Sequence, residues 1–104
     1  MSYLQLSRTR PTPGAWEGLT DVQNDAQTAA IYAVIGECGG AVKVVAFSPS
    51  ELALTSVIEY PDEKSAQQSI ARILALGTLE FVSIESLWDL GDWIGMVRAA
   101  AANS

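Results

Sequence analysis

The chain of 104 residues has no histidine and a single cysteine, Cys38, so few of its side chains suit acid–base or nucleophilic chemistry. This composition removes from the chain the Ser-His-Asp and Cys-His catalytic arrangements, the common zinc sites and histidine-ligated haem. Chemistry carried out by the chain would rely on carboxylates, tyrosine, lysine, arginine, tryptophan, amides or the backbone. We therefore expect neither a metal site nor a bound cofactor, and a lone cysteine forms no disulfide within the chain.

The side chains that would line a ligand cavity come from three predicted strands and their ends. A mostly apolar cavity with a few polar groups is typical of a small-molecule site. The candidates for its lining are Tyr3, Gln5, Lys43, Phe81, Ser83, Glu85 and Trp88. In such a cavity Glu85 would act as a general acid or base, provided that a partner held it in position. The alternative is that Glu85 is partly solvated on an edge strand, or pairs with Lys43 of a second subunit.

Three tryptophans, Trp16, Trp88 and Trp93, are many for this length. They would either stack on a planar ligand at the mouth of a cavity or anchor a subunit interface. Large aromatic side chains bury much area at a low cost in conformational entropy, which favours the interface.

Three other patterns have structural explanations. Gly39-Gly40 follows a predicted helix and caps its end, because a phosphate-binding glycine loop would have to precede a helix. Cys38 has no cation close to it in sequence, so we expect an inert thiol. Asp89 and Asp92 have the spacing to share a divalent ion, but the start of a helix explains both carboxylates.

Hydrophobic periodicity and turn residues predict the elements that position these side chains. Pro61-Asp62-Glu63 is typical of a helix start with Asp62 as its cap, and Gly77 ends that helix. Thr20-Asp21-Val22-Gln23 fits a capping box before the first helix. The predicted order is a strand over 2–7, a loop over 8–18, a helix over 21–38, strands over 41–47 and 52–60, a helix from 61 to 77, a strand over 79–88 and a helix over 89–102. This order predicts a single α+β domain over 1–104 with a ferredoxin-like βαββαβ antiparallel sheet and a C-terminal helix.

The composition indicates a second buried surface. Apolar residues make up 49% of the chain and charged residues 17%, against a norm of about 25% charged. The second and third strands are apolar on both sides, whereas a sheet with one wet face alternates more cleanly. We expect a homodimer, a dimeric α/β barrel, whose two sheets enclose a shared interior; the alternative is a monomer whose terminal helix crosses the open face. In that arrangement Leu4, Leu6, Val82 and Ile84 meet the helices, while the side chains that face the shared interior are Tyr3, Gln5, Ser7, Val45, Phe47, Phe81, Ser83, Glu85 and Leu87, with Lys43 beside them.

Charge and hydropathy exclude several partners. Six basic against twelve acidic residues give a net charge of −6, which disfavours binding to nucleic acid or to an anionic membrane surface. No apolar run approaches the roughly 20 residues of a membrane-spanning helix. The first ten residues lack the basic and apolar regions of a signal peptide, so we expect a cytoplasmic protein.

Several stretches resemble the GYD-domain family of small dimeric α/β-barrel proteins. They are Gly39-Gly40, Val57-Ile58-Glu59-Tyr60-Pro61-Asp62-Glu63, Ile73-Leu74-Ala75-Leu76-Gly77, Val82-Ser83-Ile84-Glu85-Ser86-Leu87 and, more loosely, Tyr3-Leu4-Gln5-Leu6. The Gly-x-Tyr-Asp motif itself is not retained, since Ser50-Glu51-Leu52-Ala53 stands in its place, and no role of that motif carries over. The resemblance implies the fold and a dimer, and it implies no reaction.

Two functions follow from these observations. The first is a binding module for a small apolar ligand or a partner, supported by the lack of an acid, base and nucleophile constellation. The second is a cofactor-independent enzyme, a monooxygenase or an isomerase, acting on a small aromatic or lactone-like substrate in the barrel interior. The second rests on analogy between folds. An enclosed cavity of bicyclic size with Glu85 facing it would favour the enzyme.

Overall fold

A computed structural model describes residues 3–12 and 22–103, with side chains described from residue 26 onward in the second range. The elements are β1 (Tyr3–Pro11), α1 (Val22–Glu37), β2 (Ala41–Ser48), β3 (Ala53–Tyr60), α2 (Glu63–Leu76), β4 (Leu79–Leu87) and α3 (Leu90–Ala102). The four strands form one antiparallel sheet in the order β2-β3-β1-β4. The predicted ferredoxin-like α+β fold with a C-terminal helix is confirmed. The capping-box residues Thr20 and Asp21 and the indole of Trp16 lie outside the described residues.

The helix boundaries follow the capping residues that the sequence predicts. Asp62 caps α2, its Oδ1 accepting the Ser65 backbone N–H at 2.7 Å, and Gly77 ends the helix at φ 76°. Asp89 caps α3, its Oδ2 accepting the Asp92 N–H at 3.3 Å. The interpretation of Asp89 and Asp92 as a helix start is therefore confirmed.

The turn between α1 and β2 brings the backbone against the core. Gly39 has φ 78°, a left-handed conformation that glycine adopts without steric cost. A Cβ at Gly40 would lie 2.6 Å from Ile35 Cγ2 and 2.8 Å from Tyr60 Cε1. The two glycines end α1 as the sequence predicts, and the second also lets Tyr60 pack against the helix end.

The core lies between the sheet and the helices α1 and α2. Its buried residues are Val34, Ile35, Ile58, Tyr60, Ala66 and Ile73. We call this side of the sheet the helix-covered face, and the opposite side the open face.

The prediction for β1 was wrong about which side meets the helices. Gln5 is only 1% exposed and Ser7 is buried, so β1 turns polar side chains toward the helices. The reason is the register with β3, in which Gln5 lies opposite Ile58 and Leu6 opposite Val57. Directly opposite residues share a face, and Ile58 belongs to the core. Leu4 and Leu6 therefore lie on the open face.

A β-bulge explains a second error, in β4. The ladder pairs Arg8 with Ser83 and Thr9 with Phe81, which leaves Val82 without a partner. The unpaired residue breaks the alternation, so that Phe81 packs against the core. Ile84 lies opposite Ser7 on the helix-covered side of the sheet, although it is 40% exposed there. Glu85 lies opposite Leu6 on the open face.

β1 is longer than predicted, because Arg8 to Pro11 continue the ladder instead of forming a loop. Thr9 pairs with both Leu54 and Phe81, and Arg10 pairs with Glu80. The Arg10 guanidinium also donates to the Glu51 carbonyl oxygen at 2.6 Å. Pro11 is tolerated because it is the last residue of the strand.

Helix α3 extends away from the rest of the domain and buries none of its residues. Leu90, Trp93, Met96 and Val97 are all exposed. The described residues span 58 Å along their long axis with a radius of gyration of 16.2 Å, against about 13 Å for a compact domain of 100 residues. The helix therefore does not cross the open face of its own sheet. No helix among the described residues has the length and hydropathy of a membrane span.

Candidate ligand cavity

An apolar cavity of about 220 Å³ lies between α1 and the sheet. Helix α1 contributes Ile31, Tyr32 and Ile35, and the sheet contributes Val42, Val45 and Leu54. Val42 and Val45 share this face because β2 has its own irregularity between Val42 and Val44. The cavity therefore belongs to one chain and lies on the helix-covered face, whereas the sequence predicted a cavity on the open face.

A smaller space of about 40 Å³ adjoins this cavity deeper in the core. Six residues line both spaces, namely Thr9, Ile31, Ile35, Ser56, Ile58 and Leu79. The deeper space is also lined by Gln5, Ser7, Tyr60, Ile70, Ile73 and Phe81. The combined cavity thus has mostly apolar walls, with a few hydroxyl and amide groups at its inner end.

Two polar atoms at this cavity have no hydrogen-bond partner. Gln5 Nε2 and Thr78 Oγ1 are the buried side-chain nitrogen and oxygen atoms without a partner in the part of the chain that the structure describes. Gln5 lines the deeper space and Thr78 lines the larger one. A buried polar group without a partner costs about 1–3 kcal/mol. Both unpaired atoms therefore lie at the same combined cavity, and each lowers the stability of the fold.

A buried tyrosine closes the inner end. The Tyr60 hydroxyl donates to Ser69 Oγ at 2.9 Å, and both side chains are buried. Burial raises the pKa of Tyr60 above its ordinary value of 10.0, although its hydrogen bond to Ser69 opposes this. Tyr60 is therefore neutral at physiological pH.

The lining carries no formal charge in the described part of the chain. Its polar side chains are hydroxyls and amides, with no aspartate, glutamate, lysine or arginine in either space. Across the described residues there is also no group of three His, Cys, Asp or Glu side chains that could hold a metal ion.

The structure brings two of the predicted cavity residues together. Gln5 and Phe81 both line the deeper space. Tyr3 and Trp88 instead line a separate space of about 350 Å³ with acidic residues at the starts of α2 and α3, and Tyr3 Oη lies 2.6 Å from Ser86 Oγ. Trp88 is exposed there.

The remaining predicted cavity residues lie outside the cavity. Ser83 Oγ accepts from Arg8 Nη1 at 3.4 Å, and Glu85 shares the open face with Leu6. Lys43 lies at the irregularity of β2, without a partner in the ladder. The acid–base role of Glu85 stays a prediction that would need the space between two sheets.

Sequence reasoning missed Thr9, Ser56 and Thr78 as cavity residues. The available signal was the alternation of Gln5 and Ser7, which reaches Thr9 once β1 is extended. It also missed a cation near Cys38, whose Sγ lies 3.9 Å from Arg72 Nη1 across the α1–α2 interface. Arg72 pairs with Glu37 at 3.0 Å in the same place. No signal in the local sequence connects residues 34 positions apart.

Comparison with known proteins shows the fold. The chain resembles a mutant chlorite dismutase from Candidatus Nitrospira defluvii, with a TM-score of 0.59 and 14% sequence identity. The match covers 82% of this chain. It covers 38% of the other, so the chain spans well under half of that protein. The shared feature is the ferredoxin-like fold.

No protein-family model matches the chain, and the curated proteins contain no significant match. The resemblance to the GYD-domain family therefore rests on the quoted motifs alone.

Proposed function

We propose that this chain is a small binding protein that holds a mostly apolar molecule in the cavity between α1 and the sheet. The observation that carries the proposal is the unpartnered Nε2 atom of Gln5, an amide that is 1% exposed at the inner end of that cavity. Native folds pair nearly all buried polar groups, so an exception beside an open space favours a missing ligand.

The size of the cavity supports a ligand of one or two rings. A buried apolar space of about 150 Å³ is enough to take up benzene, and the larger space here is about 220 Å³. Its walls are aliphatic and aromatic with few polar groups, which is the usual character of a small-molecule site.

The test is the binding of a bicyclic hydrocarbon, indane, followed by calorimetric titration. We expect saturable binding to the unmodified chain and its loss in Ile31→Trp, where the indole fills the space that Ile31 borders. Ala29→Trp is the matched control, because Ala29 is exposed on α1 and does not line the cavity. Binding that survives in Ile31→Trp contradicts the proposal. Failure of both indane and its ketone, 1-indanone, to bind the unmodified chain also contradicts it.

We further propose that the binding protein is a homodimer formed through the open face. Leu4, Leu6 and Val57 share that face, and α3 leaves its apolar side chains uncovered. The face also carries both signs of charge, since Arg8 and Glu85 lie on it. A two-fold interface pairs each patch with itself, so a surface bearing both signs can match its own copy.

Light scattering tests the dimer. We expect the unmodified chain to have a mass of twice 11.1 kDa at micromolar concentration. We expect Leu6→Glu to have the mass of one chain, because a carboxylate replaces an apolar side chain of the open face. Leu74→Glu is the control, because Leu74 is 50% exposed on α2, away from that face. A mass of 11.1 kDa for the unmodified chain refutes the dimer.

A further inference from the structure

The unpaired group at the inner end of the cavity is a hydrogen-bond donor. An amide nitrogen carries two N–H groups and no acceptor site, and Gln5 Nε2 has no partner in the described residues. A bound molecule satisfies this atom only with an acceptor, and a pure hydrocarbon leaves it unpaired. With the amide nitrogen in this orientation, we expect the inner end to favour a ligand with an oxygen or nitrogen lone pair at one end.

The walls argue against an ionised acceptor. Neither space is lined by a charged side chain among the described residues, and Arg72 is engaged with Glu37 outside the cavity. Burying a carboxylate or phosphate without a counter-charge costs far more than one amide hydrogen bond returns. The Tyr60 hydroxyl donates its proton to Ser69 and is not free to help stabilise an anion.

The shape of the cavity places the acceptor relative to the apolar part. The deeper space of about 40 Å³ holds little more than one small group, and the larger space beyond it is walled by Ile31, Val45 and Leu54. A ligand that fills both presents a compact polar group inward and a ring system outward. A carbonyl on a ring has these proportions.

We infer that the ligand is an uncharged ring compound bearing a carbonyl group, a ketone or lactone, whose oxygen accepts an N–H of Gln5. This inference rests on the proposed function, because it specifies the occupant of the same cavity. Gln5 is then the specificity-determining residue, and the aliphatic walls supply binding that is insensitive to the carbonyl.

A matched set of probes tests binding in the cavity and the preference for a carbonyl group separately. Calorimetric titration compares indane, 1-indanone and indane-1-carboxylate, which share a bicyclic frame. We expect 1-indanone to bind about 5- to 150-fold more tightly than indane, since one hydrogen bond to a buried donor is worth about 1–3 kcal/mol. We expect the carboxylate to bind more weakly than indane.

Two variants test whether the Gln5 amide is the donor that causes the preference for 1-indanone over indane. Gln5→Met removes both N–H groups in a side chain of similar length, and we expect 1-indanone and indane then to bind equally, with indane affinity retained. Gln68→Met, the same substitution at an exposed position of α2, should keep the full preference. Circular dichroism verifies that each variant is folded.

The possible results distinguish a failure of the proposed function from a failure of the carbonyl inference. If no probe binds the unmodified chain, the proposed function fails and the inference with it. If indane and 1-indanone bind equally, or if the preference persists in Gln5→Met, the cavity binds ligands but the inference is wrong. Tightest binding by the carboxylate overturns the uncharged character of the ligand.

Discussion

Replacing Gln5 with methionine should stabilise the unliganded protein, although Gln5 is among the most buried residues of the fold. The amide is 1% exposed and its Nε2 atom has no partner. Most substitutions at such a position destabilise a protein by creating a cavity or by burying a polar group. This one keeps a flexible side chain of similar length and removes a polar group that is already unpaired.

The expected gain follows from the cost of the unpaired amide. An unsatisfied buried donor costs about 1–3 kcal/mol, and imperfect packing of the thioether in place of the amide subtracts part of that. We expect a net increase of about 1–2 kcal/mol in the free energy of unfolding, which raises the Tm of a domain of this size by about 5–10 °C.

Urea denaturation at a fixed protein concentration measures the change. We expect a higher midpoint with an unchanged dependence on urea, because the surface exposed on unfolding stays the same. Gln68→Met at the exposed position on α2 should change the free energy of unfolding by no more than about 0.5 kcal/mol. Added 1-indanone should then reduce the difference in the free energy of unfolding between the two proteins, because it stabilises the unmodified chain more than it stabilises Gln5→Met.

A loss of 1 kcal/mol or more in Gln5→Met would refute the reasoning. It would mean that Gln5 Nε2 has a hydrogen-bond partner in the folded protein. That atom would then give no reason to propose a ligand. An unchanged free energy of unfolding would contradict the expected gain, because it would mean that the unpaired amide costs no stability that a ligand could restore.

Three further predictions concern the same core. Thr78→Val removes the other unpaired buried atom, Oγ1, and should raise the free energy of unfolding by about 1 kcal/mol in the same urea assay; a loss of stability contradicts this. Gly40→Ala should lower it by about 1–3 kcal/mol, because the new methyl group meets Ile35 Cγ2 at 2.6 Å. Gly36→Ala, which meets nothing within 4 Å inside α1, should raise it by up to about 1 kcal/mol, and equal effects of the two alanines would contradict the packing argument. Burial raises the pKa of Tyr60, so the unfolded chain loses this proton first as the pH rises: stability is fully present below the ordinary value of 10.0 and falls above it. Urea midpoints measured from about pH 9 to about pH 11 should fall less steeply in Tyr60→Phe than in the unmodified chain.

Much of the fold could be predicted because its boundaries depend on local chemistry. Asp62 caps a helix through its own carboxylate, and Gly77 ends that helix in a conformation that other residues adopt at a cost. The end of β1 could not be predicted in this way. Arg8, Arg10 and Pro11 are typical of a loop, yet they pair across to β4, because tertiary pairing outweighs local preference there.

The candidate site could be predicted only in part, because alternation shows which residues share a face and not which face is covered. Gln5 and Ser7 were correctly grouped, but the assumption that Leu4 and Leu6 meet the helices put them on the wrong side of the sheet. The bulge at Val82 then exchanged Phe81 between faces, and an unpaired residue in a ladder leaves no trace in periodicity.

In the proposed homodimer, the orientation of β1 would make the stability of this protein depend on its concentration. β1 is one of the two inner strands, yet it turns its leucines to the open face and its amide and hydroxyl side chains to the core. Leu4 and Leu6 are already partly buried within one chain, and in the proposed homodimer a second copy would cover the apolar surface that they still expose. In that assembly mass action would couple folding to association, and we expect the melting temperature to rise with protein concentration.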